Sequence, residues 1–166
     1  MKYHEMKVAA IVLDPSNYVP MVILKDMNEE NSLPVWIGIT EAAAILTELE
    51  KVDIERPMTH DLTKKIIGSL GGDVFKVTID DIKDNVFYST IYIKTSSGEI
   101  LKMDSRPSDA IAMAMSSSVP ILVNEKVILK SKVIDISTEQ IKGRSKEELL
   151  SILENLSTDD FGKYMM

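Results

Sequence analysis

The chain has 166 residues, 45% of them hydrophobic and 27% charged, and its 19 Lys and Arg stand against 26 Asp and Glu, a formal net charge of −7. That hydrophobicity excludes a disordered chain. The longest apolar run, Val8 to Leu13, falls far short of the ~20 residues a membrane-spanning helix needs.

The polar segment before that run carries no signal-peptide pattern, so a soluble cytoplasmic protein without membrane contact is expected. With no cysteine there is no disulfide framework, thiolate metal site or cysteine nucleophile, and His4 and His60 alone cannot make a three-histidine metal centre. The acidic balance argues against a protein that coats nucleic acid through a basic face. It leaves local contact with phosphate open.

The first half reads as three strands and then helices. Lys7–Asp14 is apolar and ends in the turn signal Asp14-Pro15-Ser16-Asn17; Val19–Lys25 and Leu33–Ile39 are the next two runs. Thr40 offers an N-cap hydroxyl to a helix with Glu41 in its first turn and Ala42, Ile45, Leu46 and Leu49 behind it. A second helix begins near Thr59, runs through Leu62, Ile66, Ile67 and Leu70, and stops at Gly71-Gly72.

The second half follows the same order. Val74–Asp80, Val86–Lys94 and Glu99–Asp104 read as strands, with a turn at Ser96-Ser97-Gly98. Ser108 is placed to cap a helix with Asp109 in its first turn. Val119–Asn124 is a short strand or extended link, and Glu125–Val133 a short helix. Lys7-Val8 overlays Lys76-Val77, and Thr40-Glu41-Ala42 overlays Ser108-Asp109-Ala110. These features predict an α+β domain over 1–138, internally duplicated as three-strand/two-helix units (about 5–72 and 73–135) around one shared mixed sheet. Residues 139–166, with Leu149, Leu150, Ile152, Leu153 and Leu156, predict a C-terminal amphipathic helix and tail.

Arginine is scarce, and two of the three arginines sit in Arg-Pro pairs leading into helix starts: Arg56-Pro57-Met58-Thr59-His60-Asp61 and Asp104-Ser105-Arg106-Pro107-Ser108-Asp109. Proline biases the preceding residue toward an extended backbone, which holds each guanidinium beside helix N–H groups that favour anions. Its fork matches phosphate oxygens two at a time. Glu41, Asp61, Asp104 and Asp109 at the same helix starts supply the oxygen ligands that Mg²⁺ or Mn²⁺ requires. His60 suits proton transfer near neutral pH. Three readings stay open on the residues alone: an enzyme acting on phosphoesters, a non-catalytic module binding an anionic ligand or protein partner, and a set of structural caps and struts.

The two Arg-Pro blocks resemble the signature blocks of the bifunctional nuclease (DNase/RNase) domain family, as does Trp36-Ile37-Gly38-Ile39-Thr40-Glu41-Ala42. The resemblance spans about residues 5–135 and implies a barrel-like sheet, homodimers, and sequence-nonspecific hydrolysis of phosphodiester bonds in DNA and RNA. The matching positions are Glu41, Arg56, His60, Asp61, Asp104, Arg106 and Asp109. On this reading Arg56 and Arg106 bind phosphate, Asp104 and Asp109 hold Mg²⁺ or Mn²⁺, and His60 moves the proton, oriented by Asp61 or by an acid of the other half.

Overall fold

The computed structural model describes residues 2–131, so the expected helix in 139–166 lies outside the described residues. Three strands, β1 (Tyr3–Leu13), β2 (Pro20–Asp26) and β3 (Ser32–Trp36), precede helices α1 (Ile39–Leu49) and α2 (Thr59–Ser69). Three more, β4 (Gly72–Lys83), β5 (Val86–Thr95) and β6 (Ile100–Ser105), precede α3 (Pro107–Ser117), β7 (Ile121–Asn124) and α4 (Glu125–Ser131). The expected α+β class and the order of three strands followed by helix in each half are observed.

All seven strands form one mixed sheet in the order β3-β2-β1-β7-β4-β5-β6. Each half is an antiparallel meander, and β7 joins them, antiparallel to β1 and parallel to β4. The sheet is open rather than closed into a barrel, with β3 and β6 as its edges. Pro34 in β3 cannot donate to a further ladder, and β6 leaves almost every residue exposed.

Alternation along β2 explains the packing. Val22 and Leu24 point into the main core with Leu33, Val35, Ile45, Val77, Ile79, Ile111 and Val123. Met21 and Ile23 point to a smaller cluster with Val12 and Trp36 on the other face. On the main-core side α1 and α2 both lie against α3. Buried alanines at positions 42, 43, 110, 112 and 114 keep the α1 and α3 faces thin, and this brings their N-termini to one place.

The helix starts differ from the expected caps. Gly38, Met58 and Arg106 are the N-cap residues, none with a side-chain cap bond. Pro107 occupies N1, where its missing N–H costs nothing, so Arg106 becomes the cap and Ser108 moves inside the helix, buried. Thr40 likewise lies inside α1 and donates its hydroxyl to Glu41 Oε2 at 2.9 Å. Helix α2 ends as expected, with Gly71 in the left-handed region at φ 78°.

Candidate active site

A cleft of about 570 Å³ opens where α1, α2, α3 and β5 meet, lined by Glu41, Met58, Thr59, His60, Arg106 and Asp109 above an apolar floor that includes Ile91 and Ala112. Arg106 stands at its rim because the turn from β6 into α3 is pinned: Ser89 Oγ on β5 donates to Ser105 O at 2.6 Å.

Two acids grip Arg106. Its Nε and Nη2 donate to Asp109 Oδ2 and Oδ1 at 2.8 and 3.0 Å, and its Nη1 donates to Glu41 Oε1 at 2.8 Å. Glu41 and Asp109 are each the third residue of their helix, so equivalent acids from the two halves share one guanidinium. Asp109 and then Glu41 hold that guanidinium's pKa above its ordinary value. Burial pushes Glu41 up, but its own backbone N–H, Thr40 and Arg106 outweigh burial and keep it below the usual range. Among the described residues, three of the five guanidinium N–H groups are engaged, which leaves two for a ligand.

The cleft wall at His60 leads to a second cluster. His60, 9% exposed, places Nε2 3.1 Å from Glu48 Oε1 and 3.7 Å from Asp61 Oδ1. Ser116 Oγ on α3 donates to Asp61 Oδ1 at 2.8 Å, and the Met58 amide donates to Asp61 Oδ2 at 3.2 Å. Burial raises the Asp61 carboxyl, but the bonds from Ser116 and Met58 and the neighbouring His60 outweigh it and leave it low. Among the described residues, Glu48, His60 and Asp61 are the set of three ligand atoms within 4.8 Å of one another. A nitrogen and two carboxylate oxygens at that spacing fit a divalent cation.

Two sequence comparisons bear on this arrangement. The bifunctional nuclease domain matches residues 22–135. An uncharacterized protein of Mycobacterium tuberculosis is 32% identical over 163 residues, covering 95% of this chain and 97% of that protein. The chain belongs to the bifunctional nuclease domain family. Bifunctional nuclease 1 of Oryza sativa subsp. indica is 27% identical over 116 residues, 69% of this chain and 35% of the relative. Bifunctional nuclease 1 of Arabidopsis thaliana is 26% identical over 110 residues, 64% of this chain and 34% of the relative. The chain therefore spans about a third of the length of these plant proteins.

Within this family member, the structure gathers Glu41, His60, Arg106 and Asp109 around one cleft, with Asp61 behind His60. Arg56 lies outside the lining, two residues before Met58, exposed and with no hydrogen bond or ion pair among the described residues. Asp104 is not brought in. It pairs with Thr90 on β5, whereas Met103 pairs with Ile91, the residue in the cleft floor. Neighbouring residues of a strand face opposite ways, so Asp104 looks out from the far side of the sheet. The expected metal pair of Asp104 and Asp109 is thus split between two faces, and Asp109 already holds Arg106 with both oxygens. Glu48 was not anticipated from sequence; its only local signal is an acid in the last turn of α1, four residues after Ala44 of the cleft lining.

Among the described residues, no helix is long and apolar enough to cross a membrane.

Proposed function

We propose that this cleft binds a phosphodiester backbone of DNA or RNA and hydrolyses it, with cation assistance and without sequence preference. The observation that carries the reading is the meeting at one open cleft of Arg106, with two N–H donors unengaged among the described residues, and His60, which has Glu48 and Asp61 behind it. Family membership supports it, since plant relatives bear the name bifunctional nuclease.

Asp109 positions Arg106 through its two-point bond, so the guanidinium presents its remaining donors outward. Glu41 occupies Nη1 in the unliganded site and yields to a phosphate oxygen. Arg56, unpaired among the described residues, contacts a flanking phosphate. Four carboxylates against one guanidinium repel a polyanion, and a divalent cation on Glu48, His60 and Asp61 offsets that repulsion. When bound, such a cation supplies Lewis-acid polarisation of a phosphoryl oxygen. His60 then serves as ligand rather than as the proton-transfer group read from its sequence position.

Affinity arising from so few cationic contacts is weak and falls with salt. The chain acts as a homodimer on this reading, supported by the exposed apolar stripe of Leu62 and Ile66 on α2 and Leu70 at its C-cap, which light scattering of the purified chain checks. The test of hydrolysis is cleavage of end-labelled single-stranded and duplex substrates with Mn²⁺, with Mg²⁺ and with chelator. Internal cuts in both DNA and RNA that disappear with chelator support the reading. Saturable binding without cuts favours instead a module that binds anions, a role that the doubly paired resting state of Arg106 also suits.

A further inference from the structure

We propose that Glu48, His60 and Asp61 form a transition-metal site that ties the end of α1 to the start of α2 and so fixes the connection that carries Arg56. It rests on the cation half of the reading above and not on hydrolysis.

Glu48 lies in the last turn of α1, a helix with no basic residue there to answer its negative end. A carboxylate in that position is unfavourable by the helix dipole, and a cation would reverse the sign. His60 and Asp61 are the second and third residues of α2. Residues 50–58 run between the two ends, with Lys51 in a left-handed conformation and Val52 and Ile54 exposed. The connection therefore has little packing of its own, and the cluster closes its base.

The donor distances suit a shared ion. Two atoms each ~2.1 Å from one cation lie roughly 3.0–3.5 Å apart when adjacent ligands, close to the observed 3.1 and 3.7 Å. Support from outside the set is in place: Ser116 Oγ and the Met58 amide each hold one oxygen of Asp61, as outer partners do for metal-ligating carboxylates. Lys64 on α2 reaches the carbonyl of Ser116 and fastens this part of α3 to α2. The imidazole nitrogen sets the class of ion. Mg²⁺ prefers oxygen ligands and retained waters, whereas Mn²⁺ and Zn²⁺ accept a mixed nitrogen and carboxylate set. Ser116 is a positioning residue here, acting through Asp61.

The experiment is calorimetric titration of the chelator-treated full chain with MnCl₂, ZnCl₂ and MgCl₂ in the absence of nucleic acid. Saturable binding of one ion per chain is expected, with Mn²⁺ or Zn²⁺ at least about tenfold tighter than Mg²⁺. Glu48→Gln and His60→Gln weaken it at least about tenfold, and Ser116→Ala by about tenfold, with unchanged far-UV circular dichroism. Asp104→Asn leaves it unchanged. Limited proteolysis within 50–58 slows on adding Mn²⁺ to the wild type and not to Glu48→Gln. Absence of saturable binding overturns the site, as does equal affinity for Mg²⁺ or full affinity in a folded Glu48→Gln variant. Binding without any change in proteolysis overturns the tie between helices. A chain that binds Mn²⁺ yet cleaves nothing retains the site and loses only the nuclease reading.

Discussion

Gly38→Ala tests the grip on Arg106 without substituting either partner. Gly38 has φ −74° and ψ 164°, an extended conformation that alanine adopts without strain. A Cβ there would lie 2.2 Å from Glu41 Oε2 and 3.2 Å from Glu41 Cδ. The carboxylate must retreat by about 1 Å to reach ordinary contact, and Glu41 Oε1 then leaves its 2.8 Å bond to Arg106 Nη1. Arg106 is 65% exposed at this pair, so losing it costs under about 1 kcal/mol. Fewer backbone states in the unfolded chain offset about half of that or more. The melting temperature is expected to stay within about 4 °C of wild type.

Binding changes more than stability. Releasing one N–H donor and moving one negative charge away is worth about 1 kcal/mol in a solvent-exposed setting, which is a gain of roughly fivefold in affinity. Fluorescence anisotropy with a phosphorothioate single-stranded oligonucleotide at low salt reads this directly. Glu41→Gln is expected to move affinity the same way, and both gains to vanish near 1 M salt, where screening reaches about 3 Å. Weaker binding in both variants would refute the reasoning, because Glu41 would then be holding Arg106 for the ligand rather than occupying it. Unchanged binding in both would remove Arg106 from the contact.

Other consequences are equally specific. Asp109→Ala removes the two-point hold on Arg106, and kcat/KM for oligonucleotide cleavage is expected to fall about tenfold or more, chiefly through KM. Asp104→Ala, on the far face of the sheet, is expected to leave cleavage within about twofold of wild type in the same assay. Stability should depend on acid through Asp81, held low chiefly by Lys130 and Lys126, and through Asp14, held low chiefly by the Trp36 indole N–H. Both are carboxyls with lowered folded values, so their contribution is full above the unfolded value near 4 and is lost as pH falls through the folded value. Thermal unfolding followed by circular dichroism should show a flat melting temperature from pH 7 to about 5 and a fall below about 4. Asp81→Asn should flatten part of that fall, and a rise in stability below pH 4 would contradict the assignment.

The parts of this fold that short-range chemistry dictates were readable in advance. Alternating apolar runs located the strands, Pro107 and Asp109 marked the start of α3, and Gly71 marked the end of α2. The overlay of Glu41 on Asp109 anticipated that they would hold equivalent helix positions, though not that they would share Arg106. What escaped depends on register and on long connections. In β6, Ile100, Leu101 and Met103 are all exposed, so its sequence shows no clean alternation, and only the pairing of Thr90 with Asp104 decides which face the acid takes. Glu48 and His60 meet because residues 50–58 fold back far enough to set the end of α1 beside the start of α2, and no local pattern encodes that return. The caps of α1 and α3 lie two positions before Thr40 and Ser108, at Gly38 and Arg106, and in α3 proline at N1 gives the cap position to Arg106.

The most direct measurement is a cleavage assay on wild type, Arg106→Ala and His60→Ala, purified side by side and tested on one labelled single-stranded substrate with Mn²⁺. Hydrolysis in this cleft predicts Mn²⁺-dependent cutting by the wild type and losses of about a hundredfold or more in both variants. Equal cutting by all three preparations would place the activity elsewhere and contradict the account.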